Sequence, residues 1–127
     1  MCTTTRDLAR VGQMLVEGGS HNGRQVVPAS WIDMITNDGD AGAWAAGNLA
    51  SYYPGAAMHY RAKWYVERSD PRLLFGMGIH GQNLFVDAEN EIVFAKFSSQ
   101  PQPLDAGRIG LTGKLASALR RELAVSR

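Results

Sequence analysis

LFVDAENEIVFAKF, at positions 84–97, is the stretch of sequence that decides the fold. It contains two runs rich in β-branched and aromatic residues, Leu84 to Asp87 and Ile92 to Phe97, and the short connection Ala88-Glu89-Asn90 between them predicts a β-hairpin. Both runs are apolar on both faces, which is typical of a sheet covered on both sides rather than one that faces water. The rest of the chain therefore has to supply a cover.

Helical patterns at both ends of the chain can provide that cover. The segment from Arg108 to Ser126 carries a leucine every four residues, with alanines between them, and predicts a C-terminal helix that packs on the sheet. Residues 1–36 predict two helices, the first capped by a threonine and the second beginning at Pro28. The apolar positions are Leu111, Leu115, Leu119, Leu123, Ala116 and Ala118 in the last helix, Leu8, Val11, Gly12 and Leu15 in the first, and Trp31, Met34 and Ile35 in the second.

The middle of the chain divides into a loop and a strand. Residues 37–58 are rich in glycine, alanine, aspartate and asparagine without a period, which predicts a long loop whose aromatic residues either pack on the body or line a cleft. The alternation from Tyr60 to Val66 predicts one half-buried strand. We therefore expect one domain, residues 1–127, of the α/β (α+β) class. It has two N-terminal helices, an antiparallel sheet of about three strands in residues 59–127, and a C-terminal helix over the sheet.

Composition excludes several classes of function. The 127 residues are 45% hydrophobic and 20% charged with a net charge of +1, which argues against disorder and against a basic surface that would hold nucleic acid. No apolar stretch is long enough to cross a bilayer, and the first residues do not resemble a signal peptide. We therefore expect no nucleic-acid or membrane partner and a cytoplasmic location. The single cysteine, Cys2, forms no intrachain disulfide and is expected to be buried and inert.

Glycines cluster in the stretch Gly76-Met77-Gly78-Ile79-His80-Gly81, which has the spacing of a dinucleotide-binding loop. Such a loop must open a helix, whereas this one leads into the strand at Leu84, so we reject that interpretation. The glycines still indicate close approach of the backbone to a neighbouring strand, to a bulge or to a ligand.

The sequence contains no activated nucleophile. No serine lies in a Gly-x-Ser-x-Gly motif or has a lysine three residues later, and the three histidines have no spacing suited to a metal. We expect no metal and no cofactor.

Three stretches nevertheless resemble the serine β-lactamase and penicillin-binding-protein-like hydrolases, and among them most closely the 6-aminohexanoate-dimer hydrolases and related esterases. The first lies near the N-terminus and consists of Met1-Cys2-Thr3-Thr4-Thr5-Arg6-Asp7-Leu8-Ala9-Arg10-Val11-Gly12, Gly18-Gly19, Gly23-Arg24-Gln25-Val26-Val27-Pro28 and Trp31. The second is Gly78-Ile79-His80-Gly81-Gln82-Asn83-Leu84-Phe85-Val86-Asp87. The third is Lys96-Phe97-Ser98-Ser99. The resemblance is to the C-terminal third of such an enzyme. It implies a fragment of the β-lactamase/transpeptidase-like fold, with the Ser-x-x-Lys nucleophile and the tyrosine motif upstream of this chain.

The resemblance also implies site residues. The family's third motif lies on a strand beside the active site, and the backbone N–H after it is half of the oxyanion hole. One alignment puts Gly76-Met77-Gly78 on that motif, with the Ile79 N–H as the donor; the alternative uses His80-Gly81-Gln82 with Asn83. In the first register Gly76 replaces the usual cation, which favours a neutral amide or ester substrate. In the second, His80 restores a group that binds carboxylates.

Two functions follow from these observations. In the first, the chain is the C-terminal segment of a serine amidase or esterase that acts on a small molecule. Ile79 is then its catalytic group, Gly76, Gly78, His80 and Gly81 line the substrate site, and the chain is inactive alone. In the second, the chain is a non-catalytic binding module that forms a homodimer through an unpaired sheet edge.

Overall fold

A computed structural model describes residues 2–125. After the first helix α1 (Thr5–Val16) come a two-stranded ribbon of β1 (Ser20–His21) and β2 (Arg24–Gln25), then the helices α2 (Ala29–Asn37) and α3 (Ala41–Ala45). A sheet follows, made of β3 (Met58–Arg61), β4 (Trp64–Glu67), β5 (Leu73–Gly78), β6 (Gln82–Asp87) and β7 (Ile92–Lys96), and the last helix is α4 (Ala106–Val125).

The main sheet has five strands in the order β3-β4-β5-β6-β7, and every neighbouring pair is antiparallel. The predicted hairpin at 84–97 is present as β6 and β7, with Asp87 opposite Ile92. The fold class is confirmed, but the sheet has five strands where about three were expected.

The additional strands have two origins. The stretch predicted as one strand, Tyr60 to Val66, is a hairpin of β3 and β4 in which Arg61 pairs with Trp64. Ala62 and Lys63 form its two-residue turn with φ of 47° and 73°, a left-handed geometry that glycine or asparagine usually signals. The other additional strand is β5, which includes the first glycines of the cluster.

Helices cover both faces of the sheet, as the apolar runs of β6 and β7 predicted. α1 and α2 pack on one face, where the core consists of Leu15, Ile35, Val66, Leu74, Leu84 and Val86. The other face is covered by α4 and by the segment that contains α3, and its core consists of Met58, Tyr65, Leu73, Phe75, Phe85 and Ala116. The close approach of α1 to β7 requires glycine at position 12, since a Cβ there would collide with the side chain of Val93.

The face of α4 that packs on the sheet is not the predicted leucine row. Thr112 and Ala116 are buried, whereas Leu111, Leu115 and Leu123 are 68%, 45% and 47% exposed. At 100° per residue, Thr112 and Ala116 lie 100° further around the helix than Leu111 and Leu115, so turning the first pair towards the sheet leaves the second pair exposed.

The stretch 37–58, predicted as a long loop, contains α3 and a single 3-10 turn at Ala50–Tyr52. Asp40 caps α3 by accepting hydrogen bonds from the Gly42 and Ala43 N–H groups, which lower the pKa of its carboxyl. Trp44 and Tyr53 pack on the sheet, with ring centroids 5.8 Å from Tyr65 and 5.7 Å from Phe75. These aromatics therefore attach the segment to the sheet.

Two further expectations concern the surface. Cys2 is exposed rather than buried, because it precedes α1 and no element covers it. Within residues 2–125, no helix is both long enough and apolar enough to cross a bilayer.

Candidate functional site

The glycine-rich end of β5 extends beyond its neighbour β4. The β4–β5 ladder runs from Glu67 opposite Leu73 to Tyr65 opposite Phe75, whereas the β5–β6 ladder continues to Gly78 opposite Gln82. Gly76, Met77 and Gly78 therefore pair with β6 on one side and have no ladder partner in β4 on the other. An extended segment with one unpaired edge can receive the backbone of a bound molecule.

These glycines do not mark a bulge, because the register between β5 and β6 is constant from Leu74 to Gly78. A Cβ at Gly76 would meet no atom within 4 Å, so packing does not require glycine there. A Cβ at Gly78 would lie 3.1 Å from the Cβ of Gln82, which is a tight contact across the ladder. A Cβ at Gly76 would therefore point into open space above the sheet.

A tight turn, Ile79–Gly81, joins β5 to β6. His80 and Gly81 both have positive φ, 59° and 86°, so the chain reverses within three residues. The Ile79 side chain is 60% exposed at the tip.

The segment that follows β7 is hydrogen-bonded to this turn. The His80 N–H donates to the carbonyl oxygen of Pro103 at 3.0 Å, and the Gln100 N–H donates to that of His80 at 3.2 Å. The His80 ring completes the attachment, with Nδ1 2.8 Å from the Gln100 carbonyl oxygen. His80 therefore fastens the turn through its main chain and through Nδ1 of its ring.

Two side chains of the neighbouring strands add to this support. Lys96 Nζ donates to the carbonyl oxygen of Gly81 at 2.7 Å. The side-chain amide of Gln82 donates to the Ser98 carbonyl at 2.6 Å and accepts from the Ser98 N–H at 2.9 Å. Sequence reasoning missed Gln82, Lys96 and Gln100 as supports of the turn, because their partners are main-chain atoms that no sequence pattern reveals.

A cavity of about 590 Å³ lies beside the hairpin, between the sheet and α4. Met77, Gly78 and Gly81 line it from the hairpin, and Met58, Phe75 and Phe85 form an apolar floor. The hydroxyl of Tyr53, which also lines it, donates to Met77 Sδ at 2.9 Å, and burial raises the pKa of Tyr53. The volume and the apolar floor are suited to a small organic molecule or to an apolar protein segment.

The two registers of the third motif occupy different places. In the first, Gly76-Met77-Gly78 lies on the free-edged strand and Ile79 opens the turn. In the second, His80-Gly81-Gln82 spans the turn and enters β6, and Asn83 is a buried residue of β6 paired with both Met77 and Lys96. No group of three metal-ligating side chains occurs within residues 2–125.

The fold of this chain is similar to one part of a solved hydrolase structure. It superposes on a Bacillus anthracis protein assigned as a 6-aminohexanoate-dimer hydrolase with a TM-score of 0.70 and 30% identity. The match covers 94% of this chain and 29% of that one.

Among curated proteins, the sequence is similar to the 6-aminohexanoate-dimer hydrolase of Paenarthrobacter ureafaciens. Identity is 36% over 100 residues, which are 79% of this chain and 25% of the relative. The resemblance stated from the motifs is confirmed, and the chain corresponds to the C-terminal part of that hydrolase. It spans about a quarter of the length of the relative. No family model matches it.

Proposed function

We propose that this chain is the C-terminal segment of a serine amidase or esterase and contributes the third-motif strand and one oxyanion-hole donor. The observation that carries the proposal is the end of β5, where Gly76 to Gly78 continue beyond β4 and lead into the turn at Ile79. In this register the Ile79 N–H is the donor. Similarity to hydrolases at 30–36% identity supports the class of reaction.

The chemistry assigned to the strand is electrostatic. In acyl transfer the carbonyl oxygen of the substrate becomes an alkoxide, and a fixed N–H stabilises that charge most strongly in the transition state. Such a donor must be held still. His80, Gln82 and Lys96 fasten the turn to the segment behind it, and this preorganises the backbone at Ile79.

The substrate class follows from what the free side of β5 lacks. Gly76 offers no charge to a substrate carboxylate, and the His80 ring is engaged with Gln100. A neutral amide or ester therefore fits this strand better than a β-lactam, whose carboxylate needs a cation. The attacking serine and its base belong to the part of the hydrolase that this chain does not span.

The test uses a chimera in which this chain replaces the matching 100 residues of the Paenarthrobacter ureafaciens hydrolase. Ile79→Pro removes the N–H, and Ile79→Ala keeps the N–H while shortening the exposed side chain. We expect Ile79→Pro to lower kcat by roughly 10² to 10³-fold and Ile79→Ala to change it little. Equal thermal unfolding of the two variants is the control for folding. Equal kcat values in the two variants would rule out the assignment of the donor.

A second candidate function is a non-catalytic module that associates with itself through a sheet edge. It is favoured by the position of β3 and β7 at the two edges of the sheet, each with one strand neighbour in the described residues. Sedimentation equilibrium of the isolated chain tests it, because a homodimer has twice the mass of 13.8 kDa.

A further inference from the structure

A second cavity, of about 230 Å³, lies between the helices α1 and α2, the start of β5 and the β6–β7 turn. It is on the face of the sheet opposite to the large cavity, since Leu15, Leu74 and Val86 line it and belong to the core under α1 and α2. β5 begins beside this cavity and ends at Gly78, so at about 3.3 Å per residue the turn at Ile79 is roughly 20 Å away. The second cavity is therefore separate from the hairpin site.

Arg72 brings an unpaired positive charge to this cavity. Its half-buried side chain lines the cavity, and Nη1 is buried without a hydrogen-bond partner within residues 2–125. None of the ion pairs in that part of the chain includes Arg72. A guanidinium stays protonated in proteins, and a buried charge without a partner is energetically costly. An anion that enters the cavity would supply the missing partner.

The backbone on both sides of Arg72 is fixed. The Pro71 carbonyl oxygen accepts hydrogen bonds from the Ser69 hydroxyl at 2.8 Å and from Arg120 Nη2 at 2.6 Å. On the other side, Leu73 and Leu74 are already paired with β4. A ligand therefore meets a charge whose main chain is in place before binding.

The remaining polar side chains of the cavity narrow the choice of ligand. The Thr36 hydroxyl already donates to the Ile32 carbonyl oxygen at 2.7 Å, and the Asn37 side-chain amide donates to the Asp33 carboxylate at 2.7 Å. Arg72 is thus the cation of the site. Glu89, which is exposed, also lines the cavity and repels a second negative charge on the ligand. A monoanion fits this set of charges better than phosphate does.

The walls and the volume indicate an organic body on that anion. Leu15, Ile32, Leu74 and Val86 supply apolar surface. At roughly 30 Å³ for each water-sized group, the cavity has room for about seven such groups. A carboxylate with a short aliphatic chain has this size, and its chain gains from contact with the apolar walls.

We propose that this cavity binds a small organic monocarboxylate with a short aliphatic chain. The carboxylate pairs with Arg72, and the chain packs on Ile32 of α2 and Leu74 of β5. Because the ligand bridges α2 and the sheet, it binds the folded chain and stabilises it. This inference does not rest on the proposed function, since it uses neither the turn at Ile79 nor turnover.

The experiment titrates the 127-residue chain with sodium hexanoate at pH 7 and constant ionic strength, by calorimetry and by thermal unfolding. We expect one saturable site and a melting temperature that rises with the hexanoate concentration. Arg72→Met removes the charge but keeps a long side chain, and should weaken binding at least about tenfold. Arg24→Met is the matched control, since Arg24 is exposed in β2 and lies outside the cavity. Equal binding to the Arg72→Met variant and the unaltered chain, or binding to neither, would overturn the proposal.

Two further probes separate the charge of the ligand from its chain. Inorganic phosphate is an anion without a chain, and hexylammonium has the same chain with the opposite charge. Each should bind at least about tenfold more weakly than hexanoate. Phosphate that binds as tightly as hexanoate would show that the apolar walls contribute nothing, which contradicts the assigned class of ligand.

Methyl NMR locates the ligand even if the Arg72→Met variant does not fold. Hexanoate should shift the methyl resonances of Ile32 and Leu74 and leave those of Val26 unchanged, because Val26 is 57% exposed and lies outside the cavity. Shifts confined to other methyl groups would place the ligand elsewhere and reject the site.

The chimera described above tests the site in the longer protein. It should bind hexanoate with the same dependence on Arg72 as the 127-residue chain does. Loss of binding in the chimera would assign Arg72 to a carboxylate of the rest of the hydrolase and would also reject a small-molecule site.

Discussion

Gly39 lies directly against the imidazole of His59, which has no exposed surface. The ring is held by its Nε2, 2.9 Å from the Ile35 carbonyl oxygen, while Nδ1 is buried without a partner. α2 and β3 meet at this ring. The imidazole therefore occupies the space that a side chain at position 39 would need.

Gly39→Ala should therefore destabilise the protein by about 1–3 kcal/mol, since the new methyl group overlaps the ring and one of them must move. Urea unfolding measures the difference. Gly76→Ala is the control, because a Cβ there meets nothing within 4 Å and φ is not positive. An unchanged unfolding midpoint in Gly39→Ala would show that α2 shifts at no cost.

The buried phenol of Tyr53 makes the free energy of unfolding decrease at alkaline pH. Burial, and to a lesser extent the charge of Tyr65, raises its pKa above the ordinary value of 10.0. A phenol whose pKa is raised on folding stabilises the protein fully below pH 10 and loses that contribution as the pH rises further, because the unfolded chain releases the proton first. Tyr53→Phe should thus reduce the loss of melting temperature between pH 9 and pH 11. Tyr65, whose pKa burial also raises, remains in the variant and preserves part of the slope. Parallel curves for the two proteins would contradict this explanation.

Among the elements, α4 is fastened to the sheet by one buried ion pair. Arg120 Nε donates to Asp87 Oδ2 at 2.6 Å, and the same guanidinium donates to the Pro71 carbonyl at 2.6 Å. Asp87 is completely buried and also accepts from the backbone N–H and the side-chain amide of Asn90. One carboxylate thus connects the β6–β7 turn to the last helix.

Arg120→Ala should cost about 3–5 kcal/mol, because it leaves a buried carboxylate without its cation. Denaturant unfolding monitored by tryptophan fluorescence measures this cost. Arg121→Ala removes the same charge from an exposed neighbour and should change stability by less than about 0.5 kcal/mol. Similar losses in the two variants would mean that net charge, rather than the pair, matters.

The success of sequence reasoning varied from element to element. The hairpin at 84–97 was predictable, because apolar residues on both faces of β6 and β7 require helices on both sides. The β3–β4 hairpin was not, because the alternation from Tyr60 to Val66 continues in phase through a two-residue turn without glycine or asparagine. The buried face of α4 was also missed, since Thr112 and Ala116 are buried while the more hydrophobic Leu111, Leu115 and Leu123 are exposed.

At the scale of the whole molecule, the five strands and the helices on both faces enclose two apolar clusters, one on each side of the sheet. The chain covers about a quarter of the length of the hydrolase that it matches. The position of Gly76 to Ile79 at the end of a strand could be anticipated from the resemblance. The supports at Gln82, Lys96 and Gln100 could not, because they bind main-chain atoms brought close only by folding.

We expect the isolated chain to hydrolyse no p-nitrophenyl ester above the rate of buffer, because an oxyanion donor without a nucleophile does not form an acyl-enzyme. The assay compares the chain with its Ile79→Pro variant after identical purification. Turnover in the unaltered chain that this variant loses would show that the chain itself carries the attacking group and would contradict this prediction.

The paired hydrogen bonds between Gln82 and Ser98 carry one more consequence. A primary amide imitates a peptide unit, offering a donor and an acceptor side by side, so this side chain acts as an extra rung beyond the last residue of β7. Glutamate has the same outline but only acceptors at neutral pH, and would face the Ser98 carbonyl oxygen with like polarity. An acidic replacement at position 82 would therefore loosen the tether behind the tip of the hairpin.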